Sequence, residues 1–206
     1  LLNALNFGPP RGYAWRKAKG LPDVGFFGMT LGPRVGPNEA ARIVVSSWGT
    51  GIASPAKIYI GTFQAGDLVF RSTNVAGGIQ RLGMCATSLA ACATNPMRMY
   101  AASANGAEAL LLVLRSDDGG ENWNALGVPV DLLPTLLNPT KREHTLRDDA
   151  GNQGNGWNNA IAVCPHNPDL VALAWRYAGC FLSEDGGNAW RRTDESQHLH
   201  SDTHTV

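Results

Sequence analysis

Near the end of the chain stands the run with the densest chemistry, His198-Leu199-His200-Ser201-Asp202-Thr203-His204. On an extended strand alternate residues share a face, so His198, His200, Asp202 and His204 would project the same way. Imidazole and carboxylate at that spacing admit three uses. They can form a hydrogen-bonded polar cluster, or a ligand-binding or acid/base position with Asp202 as the working carboxyl and His200 and His204 orienting it. They can also ligate a zinc-like ion. Same-face neighbours on a flat strand are ~6.6–7 Å apart, so the three groups meet on one ion only if the segment bends. No metal and no cofactor is therefore assigned. Three further residues are candidates for ligand contact. Trp157 could stack on a sugar ring, Asn159 follows it on the same face, and Asp23 opens an earlier strand-like run.

The elements that would position these residues are marked by a repeated turn. Ser116-Asp117-Asp118-Gly119-Gly120-Glu121-Asn122-Trp123 and Ser183-Glu184-Asp185-Gly186-Gly187-Asn188-Ala189-Trp190 both fit Ser-x-Asp-x-Gly-x-x-Trp. Each follows an apolar run. Ser and Asp side chains bond nearby backbone N–H groups and hold a tight turn. Glycine supplies the positive φ, and the Trp starts the return strand. Two copies read as a repeated β-hairpin.

These stretches resemble the Asp box, or BNR repeat, of the sialidase-like β-propellers. In that family the box joins the third and fourth strands of a four-stranded blade and is structural, away from the active site. Ser116, Asp118, Gly120, Trp123, Ser183, Asp185, Gly187 and Trp190 are accordingly expected to hold the fold. The resemblance implies an all-β propeller of four-stranded antiparallel blades. The His-x-Asp-x-His stretch is similar to one that glycosidase-like Asp-box propellers carry where a first strand leaves the central channel. Sialidases add an Arg-Ile-Pro motif in the first blade; here Arg42-Ile43 is followed by Val44, which argues against a sialidase in particular.

Repeats can be counted at about 23–81, 82–126 and 157–195, with an insertion at 127–156. The first holds strand-like runs at 24–30, 42–47, 57–63 and 67–71, and its Arg71-Ser72-Thr73-Asn74 with Gly77-Gly78 reads as a decayed box. Asn95-Pro96 and Asn167-Pro168 each read as a turn closing a first strand. Aligning on them pairs Cys92 with Cys164 and Thr87 with Asn159. The insertion carries Lys141, Arg142, Glu143, His144, Arg147, Asp148 and Asp149 and is either a wall of the binding site or a solvated loop. Ala14-Trp15-Arg16-Lys17 compares with Ala189-Trp190-Arg191-Arg192 as the outer strand of a further blade; a surface Trp or a helical turn are the competing readings. Propellers close with ~4–8 blades. The sequence thus reads as about three blades plus partial ones, with the remaining blades of a longer chain as partners.

Composition narrows the classes. Lys plus Arg balances Asp plus Glu at 17 each, which gives no argument for nucleic acid or an anionic membrane. No apolar run reaches the ~20 residues of a membrane span. The chain begins at Leu1 without a charged-then-apolar leader and is expected to be processed or a piece of a longer protein. Four cysteines at these spacings read as free thiols rather than a disulfide framework. The resemblance implies a carbohydrate-active, glycoside-hydrolase-like propeller that acts on or binds polysaccharide or oligosaccharide, outside the cell or in the periplasm. A non-catalytic propeller serving as a protein-binding or assembly scaffold is the alternative. Glycoside hydrolysis needs two carboxyl groups roughly 5–10 Å apart, and Asp202 with Asp23 form such a pair only if a closed ring brings their blades together.

Overall fold

The computed structural model describes residues 18–34, 40–50, 53–76, 84–104, 110–126, 159–175 and 179–193. No α-helix occurs among them, and their strands form three antiparallel-built sheets. The first is β1 (Phe26–Arg34), β2 (Ala41–Ser47), β3 (Ile58–Gln64) and β4 (Asp67–Ser72), in that order. The second orders β6 (Thr87–Ala91), β7 (Met99–Ala104), β8 (Leu110–Ser116) and β9 (Asn122–Leu126), with the short β5 (Asn74–Val75) lying parallel to β9 on its outer edge. The third is β10 (Asn159–Cys164), β11 (Asn167–Trp175), β12 (Gly179–Ser183) and β13 (Arg191–Arg192).

The second strands explain why these sheets stack. Ile43 to Ser47 of β2 and all of β7 are buried on both faces. Such strands are covered on each face: β7 by the sheets before and after it, and β2 by the second sheet on one side and by Ala18 and Leu21 on the other. Val44, Ile58 and Ile60 of the first sheet pack on Met99, Ala101, Leu112, Leu114 and Trp123 of the second. Tyr100, Ala102 and Val113 on the opposite face of the second sheet pack on Ile161, Val171, Leu173 and Phe181 of the third. The inner strands β1, β6 and β10 follow one another side by side. Sequential four-stranded antiparallel sheets stacked face to face, with first strands innermost, are consecutive blades of an all-β propeller.

Both Ser-x-Asp-x-Gly-x-x-Trp stretches join the third and fourth strands of their blades. Ser116 Oγ donates to Asp118 Oδ1 (2.8 Å) and accepts from Gly120 N (2.9 Å). Asp118 Oδ1 accepts from Glu121 N and Asn122 N, both at 3.0 Å. Trp123 Nε1 donates to Gly120 O (2.9 Å). Ser183, Asp185, Gly187, Ala189 and Trp190 repeat the pattern within a few tenths of an ångström. Gly119, Gly120, Gly186 and Gly187 all have positive φ, between 73° and 92°. Burial opposes the charge of Asp118 most, but the Asn122 backbone and side chain, Ser116 and the Glu121 N–H together outweigh it and hold its pKa below the ordinary 3.8. The Ala189 N–H, then Ser183, lower that of Asp185.

The first blade departs from the sequence reading. Its third and fourth strands are joined by Ala65-Gly66, with φ of 50° and 86°, a tight hairpin of the I′ kind. The Arg71-Ser72-Thr73-Asn74 stretch is no decayed box. It ends β4 and continues into β5, which crosses to the outer edge of the second blade. Ser, Thr and Asn are as useful in ending a strand as in making a turn, and Thr73 Oγ1 here donates to Ile58 O (3.1 Å). Asn167-Pro168 likewise opens β11 instead of standing wholly in a turn. The four cysteines are free thiols.

The box carboxylates are depressed in the folded state, so unfolding takes up protons as the pH falls. Their contribution is complete above about pH 4 and is lost as pH drops through the folded value. Asp118→Ala is expected to cost ~0.5–2 kcal/mol at neutral pH, the scale of a lost cap. It should also flatten the fall of melting temperature between about pH 4 and pH 2. Thermal melts of the wild type and variant over that range check both.

Candidate functional site at the strand-start end

The first strands of the three blades begin at one end of the stack. Gly28 of β1 lies against the start of β6, so closely that a Cβ there would sit 2.6 Å from Thr87 O. At the other end the thiol of Cys92, just past β6, donates to Cys164 O (3.3 Å), at the end of β10. Thr87 and Asn159 are therefore equivalent starts. Thr87 pairs with Ser103 of β7 as Asn159 pairs with Trp175 of β11.

This end is knit by buried hydroxyls. Ser46 Oγ accepts from Gly28 N (2.8 Å) and donates to Thr87 O (2.5 Å), tying the first blade to the second. Thr87 Oγ1 and Ser103 Oγ share a hydrogen bond of 2.9 Å. Lys57 N donates to Ser47 Oγ (2.9 Å). The link between β2 and β3 folds over the rim. Trp48 N donates to Gly25 O (2.7 Å), and its ring lies 5.8 Å from that of Phe27, tilted by 53°. Gly49 N donates to Cys85 O (3.2 Å) and Ala56 N to Met84 O (2.6 Å), fixing the link to the chain entering the second blade. A side chain at Gly49 would come within 2.2 Å of Met84 O.

Of the residues named from sequence, Asp23 and Asn159 fall among those described. Asp23 is exposed, just before β1, at this end. Asn159 is buried at the first position of β10. With β6 between β1 and β10, the two belong to the rims of different blades. Asp202, His200, His204 and Trp157 lie outside the described residues, as does the 127–156 insertion. The boxes occupy the opposite end: Gly119 N donates to Met97 O and Gly186 N to Asp169 O, both 2.9 Å, beside the links that leave the first strands. Every oxygen of the Asp118 carboxylate is engaged within its own loop. Ser46 and the Phe27–Trp48 pair were passed over by the sequence reading. The signal available was Ser46-Ser47, two hydroxyls closing an otherwise apolar Ile43-Val44-Val45 run.

Carboxylates at the strand-start end are scarce. Among the described Asp and Glu residues, Asp23 alone lies there; Asp67 is at the β3–β4 hairpin, and Asp117, Asp118, Glu121, Asp169, Glu184 and Asp185 are at the box end. No group of three metal-ligating side chains occurs among the described residues. No described helix is long and apolar enough to cross a membrane.

No family model matches the chain, and no curated protein matches it in sequence. Solved structures do resemble its fold. The GH74 enzyme of Niastella koreensis superposes with a TM-score of 0.52 at 15% identity, over 92% of this chain and 23% of that one. The GH74 xyloglucanase from Xanthomonas campestris gives 0.50 at 15% identity, over 93% of this chain and 25% of that one. A structure described as YCF48 bound to D1 peptide gives only 0.42 at 16% identity, over 84% of this chain and 41% of that one, too loose a likeness to bear on function. The chain thus spans about a quarter of the length of the GH74 structures it resembles. At these identities the likeness is one of fold.

Ser46→Ala removes the acceptor of Gly28 N and the donor to Thr87 O together. The cost expected is about 1–3 kcal/mol in urea unfolding, the penalty for buried groups left without partners. Ser46→Thr, which keeps the hydroxyl, should cost less.

Proposed function

We propose that this chain is part of a carbohydrate-active propeller, glycoside-hydrolase-like, and that it meets polysaccharide at the strand-start end. The observation that carries the reading is the fold likeness to two GH74 enzymes, one of them a xyloglucanase, over more than nine-tenths of this chain. The geometry supports the choice of end: the boxes use their polar groups internally at one end, and the strand starts and the β2–β3 link gather at the other.

In this reading Asp202 is the carboxyl that does acid/base work or grips a sugar hydroxyl, and His200 and His204 orient it. Asp23, exposed at the same end of the first blade, supplies a second carboxyl if ring closure brings the two blades near each other. Trp157 and Asn159 lead the third blade toward the same mouth, with Trp157 stacking on a sugar face. The site takes no cofactor, and the setting is extracellular or periplasmic.

The test is turnover and binding of the longest available form of the protein on a panel of plant and bacterial polysaccharides that includes xyloglucan. Asp202→Asn is expected to lower turnover by ~10²–10⁴-fold while the melting temperature moves by only a few degrees. Full activity in that variant removes Asp202 from the mechanism. Sugar binding without turnover would leave a lectin-like propeller. Neither binding nor turnover on any polysaccharide would favour the protein-binding scaffold.

A further inference from the structure

The aromatic pair on the rim of the first blade is an addition to the repeat. β1 and β2 pair Phe26 with Ser47 and Gly28 with Ser46, so Phe27 is the extra residue of a β-bulge. β6 and β7 pair without interruption from Thr87–Ser103 to Ala91–Met99 and have no counterpart to it. Trp48 also departs from the second blade. A Cβ on Gly120 would meet Val44 of the blade before it at 3.3 Å, and one on Gly187 would meet Tyr100 of the blade before it at 3.8 Å. Val44 and Tyr100 therefore hold the same place. Counting on from them, the counterpart of Trp48 is Ala104, which is wholly buried. The second blade closes here on a methyl group, while the first carries two half-buried rings. A blade of this kind thus closes without them.

The rings are held firmly. Both pack on the cluster between the second and third blades. Their centroids are 5.8 Å apart and their planes tilted by 53°, so the phenyl ring braces the indole without stacking flat on it. The backbone around Trp48 is tied down by the Trp48 N to Gly25 O and Gly49 N to Cys85 O bonds. Gly25 lies against the root of the indole, where a Cβ would sit 3.5 Å from Trp48 Cβ. Two residues before Gly25 stands Asp23, exposed, and Val24 between them is 47% exposed. An indole, an apolar approach and a carboxylate meet at one point of the rim.

We propose that Trp48, braced by Phe27, is a stacking platform for one pyranose ring of a neutral polysaccharide, and that it sets this ring beside Asp23. In glucose or xylose the ring hydroxyls are equatorial. Both ring faces are then flat C–H surfaces that match the face of an indole, and the hydroxyls radiate from the edge, where a carboxylate accepts from them. An axial hydroxyl spoils one of those faces, so the platform favours gluco- and xylo-configured chains. The proposal rests on the reading of the protein as a carbohydrate-active propeller and adds a binding residue to that site. A preformed, braced ring suits the task, because little side-chain freedom is lost when the sugar lands.

The test uses the longest available form of the protein, with xyloglucan and cellohexaose as probes. Trp48→Ala is expected to raise Kd, or KM, by about ten-fold or more. It should leave kcat within about two-fold of wild type, because stacking holds ground state and transition state alike. Trp48→Phe, which keeps a smaller ring, should fall between the two. The difference in emission between wild type and Trp48→Phe should move to shorter wavelength as cellohexaose is added. That readout decides the matter if Trp48→Ala fails to fold, and no shift at saturating sugar overturns the platform. If wild type binds the probes and both variants bind them equally well, the platform is overturned while the carbohydrate reading stands. A loss confined to kcat overturns it as well. No binding of any polysaccharide by wild type removes the platform and that reading together.

Discussion

The stack depends on how closely a turn in one blade can approach the sheet before it. The second glycine of each box sits at that contact. A methyl group on Gly187 would lie 2.5 Å from Leu126 of the preceding blade, and one on Gly120 would press on both Val44 and Met99. Glycine is needed twice over: for φ near +90° and for want of space. The Trp that follows completes the joint. Trp123 is wholly buried between two sheets, its N–H taken by the glycine carbonyl beneath it. A large apolar ring thereby fills the interface without leaving a polar atom unpaired. Local turn chemistry and long-range packing are one device here.

Around that joint each interface carries a charged clasp of the same design. Arg42, at the head of β2, pairs with Glu121 in the box of the next blade (3.0 Å), and Arg71 joins from β4 (2.5 Å). Arg98, at the equivalent place before β7, pairs with Asp169 of the third blade (2.6 Å) and with Asp117. Burial disfavours the Arg98 charge, but the Tyr100 hydroxyl and the two carboxylates outweigh it, and the guanidinium stays firmly charged. Pairs this close to solvent contribute little energy apiece. Their placement matters more: an arginine facing a carboxylate across each seam sets which sheet meets which, and in what register.

What could be read in advance follows from range. The boxes were legible because eight consecutive residues specify the turn, and the structure places both between third and fourth strands. The propeller class followed from them. The first blade's hairpin was misplaced because Ala65-Gly66 is short and plain, while Ser72-Thr73-Asn74 has turn-like residues and performs a different task. β5 was invisible, since nothing in Asn74-Val75 announces a parallel partner nearly fifty residues on. The Ser46 bridge to Thr87 was missed for the same reason. The named site residues divide by what the described structure reaches: Asp23 precedes β1 and Asn159 opens β10, and Asp202, His200, His204 and Trp157 lie outside the described residues.

The distribution of buried polar groups says which kind of residue can meet a ligand. Ser46, Ser47, Thr87, Ser103 and Asn159 are all buried at the strand-start end. The hydroxyls among them are already bonded to one another or to backbone. A satisfied buried network stiffens its surroundings, and withdrawing one member to serve a ligand would leave its partner bare. The rim is thus built as a rigid platform, with its hydroxyls spent. If the proposed site is at this end, it draws on Asn159 and on side chains standing above the platform, on the residues that lead into first strands and on the links between second and third strands. Asp23 is such a residue, exposed where Thr87 is buried, and the Phe27–Trp48 link shows how the chain folds over the rim to bring others there. A scaffold of this kind fixes where a ligand can be met and leaves its chemistry to a few leading residues per blade, which is how one propeller fold can carry hydrolysis in one protein and plain binding in another.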